Sequence, residues 1–189
     1  MKSNIIISAA LALGIAFTFT GCGSSDSSSS TASSDTASSG TASFTTAELA
    51  GKISIDGVQL KTPMTFADFG EGFTLDSYVQ SGDTGSMINI FNKDGIVCTL
   101  GYNCDQEEVN ENRNIDYILF TPNDFNRGAV SIDGFTANDD PKLLEEKLGK
   151  PETEGIYFYD TTDGGRLEVI DAAGKVLSIN IFFNMPEKK

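Results

Sequence analysis

Apolar and polar positions fall into three regimes along this chain. Residues 5–19 are almost wholly apolar, residues 23–43 contain only Gly, Ser, Thr, Ala and Asp, and from residue 44 apolar positions recur in short alternating bursts. Alternation with period two over residues 74–80, 86–91, 96–102, 115–120, 155–160, 166–170 and 175–183 predicts strands. The joints at 81–85, 92–95, 161–165 and 171–174 carry the Asp, Asn and Gly that hairpin turns need. Two short helices interrupt the pattern. Thr65 and Asp68 have capping-box spacing ahead of Phe69, and Asp140-Pro141 starts a segment that Gly149 and Pro151 stop.

These elements come in the same order twice. Ser54-Ile55-Asp56-Gly57 recurs as Ser131-Ile132-Asp133-Gly134, Pro63 recurs near Pro141, and Asn92-Lys93-Asp94-Gly95 recurs as Asp171-Ala172-Ala173-Gly174. An alternating strand follows each hairpin, so four features repeat at a spacing of 77 to 79 residues. The predicted fold is α+β, with antiparallel sheet packed against short helices in two tandem strand–helix–three-strand-meander repeats. Repeat one covers about residues 52–103 and repeat two about 129–183, with residues 104–128 bridging them.

Parity along the strands assigns faces. Ile96, Cys98, Leu100 and Tyr102 align with Lys175, Leu177, Ile179 and Ile181 at an offset of 79. Ile88 and Ile90 align with Leu167 and Val169, and Val79 with Phe158; all of these are expected to face the helices as core. The same parity sends Tyr78, Tyr157, Tyr159, Phe91 and Phe182 to the opposite, open face. Aromatic residues there serve either cross-strand pairing or contact with a partner. Tyr78, Tyr157 and Tyr159 are the candidate partner-binding residues, because tyrosine offers a large apolar area with a polar tip.

Tandem units of this form resemble the β-lactamase-inhibitor-protein-like fold, as also found in lipoproteins of Gram-positive gut-type bacteria. The residues that carry the resemblance are the two Ser-Ile-Asp-Gly strands, Lys147-Leu148-Gly149-Lys150-Pro151, and the closing strand from Gly174 to Ile179. The resemblance spans about residues 52–183 and implies a concave sheet face used for protein contact, without catalysis. Inhibitory activity does not carry over, because those inhibitors use disulfide-braced domains and aromatic-rich loops. This chain has no Trp and only Cys98 and Cys104 beyond Cys22.

The first 43 residues add a location. Lys2 ahead of the apolar run, then Phe19-Thr20-Gly21-Cys22, has the layout of a signal peptide and resembles a bacterial lipobox. This predicts cleavage after residue 21, lipidation at Cys22, and a tether at residues 22–43 carrying a folded module at 44–189 on the extracellular face of the cell membrane. An ordinary cleaved signal, or an uncleaved anchor with Cys22 incidental, is the alternative. As a flexible coil the spacer reaches roughly 25 Å. Such a composition cannot bury enough apolar surface to offset its chain entropy.

Charge and missing side chains narrow the chemistry. The 27 acidic residues outnumber the 13 basic ones for a net charge of −14, which disfavours nucleic acid. No histidine is present, which removes the commonest general base and most zinc sites. The sequence calls for no enzyme, cofactor or metal. Two acidic loops, Asp160 to Gly164 and Asp133 with Asp139-Asp140, offer oxygen ligands, but hairpin and helix-cap roles already account for them. Cys98 and Cys104 would lie about 20 Å apart in one continuous strand, so a disulfide requires a sharp bend near Gly101 to Asn103; otherwise Cys98 is a buried free thiol. The expected function is a surface-tethered, non-catalytic binding module with a protein partner. An envelope-assembly lipoprotein and a small-molecule or calcium receptor are the alternatives.

Overall fold

In the computed structural model the described residues are 43–82, 85–151 and 156–185. They lie within one compact unit, Ser38–Lys189. The expected signal, lipidated Cys22 and nearly all of the tether lie outside them. Eleven strands make two antiparallel sheets, with few and short helices among the described residues.

The smaller sheet grows from the Ser-Ile-Asp-Gly pair. β1 (Ile53–Ile55) turns through Asp56-Gly57 into β2 (Val58–Gln59). Well along the chain, β7 (Val130–Ile132) turns through Asp133-Gly134 into β8 (Phe135–Thr136). Both turn residues have positive φ in each hairpin, 48° and 84° in the first and 50° and 86° in the second. That is the type I′ geometry that Asp-Gly favours, since its twist matches the strands it joins. The hairpins meet along β1 and β7, with Ser54 opposite Ser131, Ile53 opposite Ile132 and Ile55 opposite Val130, giving the order β2-β1-β7-β8.

The larger sheet has seven strands. β3 (Thr74–Gly82), β4 (Gly85–Asn92) and β5 (Gly95–Tyr102) form one meander, and β9 (Ile156–Asp160), β10 (Arg166–Ala172) and β11 (Lys175–Phe182) form another. β6 (Tyr117–Phe120) joins them by pairing with both β5 and β11, so the order is β3-β4-β5-β6-β11-β10-β9. One inward row crosses all seven strands: Val79, Ile88, Leu100, Ile118, Ile181, Leu167 and Tyr159. All of it but the half-buried Val79, which packs alongside, belongs to one buried cluster with Ile53, Ile55, Val130, Ile132 and Phe135 of the small sheet. Phe66 and Phe69 of a 3-10 turn, and Leu144 and Leu148 of a short helix, complete that cluster.

Two local features explain where parity misleads. β5 carries one extra residue, Val97, opposite the Ile90–Phe91 step, and β11 carries Leu177 opposite Ile170–Asp171. Each bulge reverses the facing of every residue between it and the turn. Val97 is therefore buried, while Ile96, Lys175 and Leu177, all expected in the core, are exposed. By cross-strand pairing, Cys98 corresponds to Ile179 and Leu100 to Ile181, two residues beyond the offset of 79. The backing layer also differs from expectation. It includes the four-stranded sheet, whose two-residue strands β2 and β8 are too short for periodicity to register.

The ends of the described chain are held by side-chain contacts. α1 (Thr46–Ala50) begins with a capping box in which Thr45 N–H donates to Glu48 at 2.8 Å. Thr46 donates to Asp163 Oδ1 through its N–H at 2.7 Å and its hydroxyl at 2.6 Å, fixing α1 to the β9–β10 turn. The Asp140 turn leads into α2 (Leu143–Leu148), with Asp140 Oδ1 accepting from Lys142 N–H at 3.0 Å.

Candidate functional site

Opposite the core, the seven-stranded sheet presents a second face whose rows follow from strand pairing, since directly opposed residues share a face. One row reads Gln80, Met87, Gly101, Tyr117, Phe182, Arg166 and Asp160 from edge to edge. The next reads Asn89, Thr99, Leu119, Asn180, Glu168 and Phe158. Solvent reaches every position in these rows except Gly101 and Tyr117.

At the centre the face is apolar. The Tyr117 ring lies where a side chain on Gly101 would stand. Any larger residue at 101 displaces the ring, so this glycine acts as a seat for an aromatic neighbour. The rings of Tyr117 and Phe182 sit 6.0 Å apart at 32°. Desolvation, with the Asp116 charge second, pushes the Tyr117 phenol above its ordinary pKa. Toward the edges the face becomes polar and internally paired. Thr99 donates to Asn89 Oδ1 at 2.8 Å, and Asn180 donates to Glu168 at 3.0 Å. Arg166 forms two hydrogen bonds with Asp160 and lies 4.9 Å from the Phe158 ring centroid.

The three candidate tyrosines part company. Tyr78 stands in an irregular stretch of β3, where residues 76–78 oppose Asn89 alone, and it is 66% exposed. Tyr157 and Tyr159 are not on the open face. They pair with Val169 and Leu167, which are core residues, so they must share the core face, and they are 6% and 1% exposed. Tyr159 donates its hydroxyl to the Gly149 carbonyl at 3.0 Å, which ties β9 to the end of α2. Phe158, expected in the core, takes the outward position instead. Phe91 and Phe182 are half-buried on the outer face, as parity requires.

Other candidate chemistry resolves into local roles. Cys98 and Cys104 are both free thiols; Cys98 is buried and Cys104 partly so. Desolvation raises both above the ordinary thiol pKa, which makes them poor nucleophiles. In the acidic loops, Asp163 accepts from Thr46, Asp160 pairs with Arg166, Asp139 accepts from Thr136, and Asp133 lies 3.5 Å from Lys52. Among the described residues no three Cys, Asp or Glu side chains gather to hold a metal. The outward residues Met87, Tyr117 and Leu119 were not singled out from sequence. Pairing partners reveal them, and the sequence does not state those partners.

Compared with known proteins, the chain matches no family model, no curated protein and no solved structure.

Proposed function

We propose that this chain is a lipid-anchored, non-catalytic binding module that holds a protein partner against the outer face of its seven-stranded sheet. One observation carries the reading: a wet sheet face with an apolar centre at Met87, Tyr117, Leu119 and Phe182, ringed by polar side chains already paired with one another. Apolar centres with polar rims are the usual anatomy of protein contacts. Six inter-strand spacings give a width of about 29 Å, and a strand length of about 20 Å makes the face on the order of 600 Å². A standard interface uses roughly 800 Å² per partner, so the face is of suitable size.

Anchoring at Cys22 and the spacer to residue 43 would keep the module at the outer surface of the cell membrane with freedom to reorient. Descent from a duplicated β-lactamase-inhibitor-protein-like unit is part of the same proposal. It is supported by the matched Asp-Gly hairpins and by two meanders flanking β6. Tyr78 remains a contact candidate at the sheet margin, whereas Tyr157 and Tyr159 do not.

The test is cross-linking of the full chain on the surface of the producing cell, beside Leu119→Glu and Tyr78→Ala variants checked for folding by circular dichroism. Capture of one protein by the wild type, lost with Leu119→Glu, supports the reading. Capture unchanged by Leu119→Glu moves the contact off this face.

A further inference from the structure

At one end of the large sheet, three segments from distant parts of the chain enclose an open cleft of about 470 Å³. They are the Asp56 turn, the β4–β5 hairpin from Asn92 to Val97, and the loop carrying Asn123 to Ala129. Two of its apolar side chains stay in water: Ile96 is 50% exposed and Phe125 is 93% exposed. An aromatic ring held almost wholly in solvent on a short loop contributes nothing to the core.

The polar lining has a definite sense. Asn92 spends its amide N–H on Asp56 Oδ2 at 2.7 Å and its oxygen on Asp94 N–H at 2.8 Å. Asn123 and Asn126 cap each other's backbone, Asn126 Oδ1 accepting from Asn123 N–H at 2.6 Å and Asn123 Oδ1 from Phe125 N–H at 2.8 Å. The open charged groups are acceptors: the Asp94 carboxylate, which has no partner among the described residues, and the second oxygen of Asp56; the Asn123 side-chain amide N–H is an open donor beside them. No Lys or Arg lines the cleft, and the chain carries a net charge of −14. A ligand here is favoured if it is positively charged and donates hydrogen bonds.

We infer that this cleft receives a basic, partly apolar peptide segment of a partner protein. A lysine or arginine head meets Asp94 and Asp56, its stem or an adjoining apolar side chain rests on Ile96 and Phe125, and the Phe125 ring adds a cation–π face. A cleft of this size falls within the usual range for ligand sites and has room for more than a single ion. The inference goes beyond the outer-face contact. Asp94 and Phe125 are absent from the two outer-face rows, so changing them leaves those rows intact.

The experiment is NMR titration of the ¹⁵N-labelled full chain with a capped hexapeptide of alternating lysine and leucine, beside its glutamine and glutamate counterparts, spermidine and calcium chloride. Saturable shifts confined to Asp56 and residues 92–97 and 123–129 are expected for the lysine peptide. Its affinity should fall at least about fivefold in Asp94→Asn and in Phe125→Ala, and fall further from about 50 to about 300 mM salt. Equal affinity for the glutamine peptide, unchanged affinity in both variants, or shifts elsewhere would overturn the inference. So would spermidine or calcium binding as tightly as the peptide, which would make the cleft a simple cation site.

Discussion

Tyr159 is 1% exposed, and its one polar atom is matched to the Gly149 carbonyl. Removing the ring leaves a cavity under β9, so Tyr159→Ala is expected to cost about 3–5 kcal/mol, and Tyr159→Phe about 1 kcal/mol for the hydrogen bond alone. Tyr78→Ala, at 66% exposure, should stay within about 0.5 kcal/mol of wild type. Urea denaturation of the three variants checks the ranking, and a Tyr159→Ala protein as stable as Tyr78→Ala would contradict the burial. Sequence alone does not separate these residues, because each sits in an alternating segment. Alternation gives two faces but does not label them. The label comes from the strand opposite, and Leu167 beside Tyr159 supplies it only once the register is known. The burial of Cys98 follows from Leu100 and Tyr102 on the same face and not from its alignment with Leu177, which is exposed.

The meander joints were the most legible elements, and those at 92–95 and 171–174 turn where their Asn, Asp and Gly predict. The Asp-Gly pairs at 56–57 and 133–134 form type I′ hairpins too, where the sequence suggested only a strand end ahead of a helix. The bulges at Val97 and Leu177 left no such mark, since an extra residue in a strand looks like any other until its neighbours are paired. α1 shows how little sequence signal a tertiary contact needs: its attachment depends on Asp163, which lies in a distant turn. Hydrogen bonds from the Thr46 hydroxyl, and then its N–H, hold the Asp163 carboxyl below its ordinary pKa. Protons therefore bind more tightly to the unfolded chain at this site. The contribution to stability is complete above the ordinary carboxylate pKa of about 4 and is lost as pH falls below it. Asp163→Asn should lower the melting temperature at pH 7, and that gap should close toward acid pH. Thermal melts followed by circular dichroism at stepped pH test this, and a gap that is constant or widens in acid would refute it.

At the scale of the molecule, the sequence conveyed the two meanders, the bridging strand and the two Ser-Ile-Asp-Gly strands, but not that β6 would seat both meanders in one sheet. That joint depends on Ile118 standing opposite Leu100 on one side and, far along the chain, opposite Ile181 on the other. The small sheet was half visible: β1 and β7 are the expected Ser-Ile-Asp-Gly strands, whereas the two-residue β2 and β8 carry no period. Its burial against the inner face leaves the outer face as the large sheet surface that water still reaches. The central claim is that this face meets the partner. The most direct test is a photo-crosslinking residue at position 119 of the full chain on the cell surface, with a second protein carrying it at the exposed Glu146 of α2, away from the outer face. The account predicts one dominant protein adduct from position 119 and little from position 146. Adducts absent at 119, or equal at both positions, would contradict it.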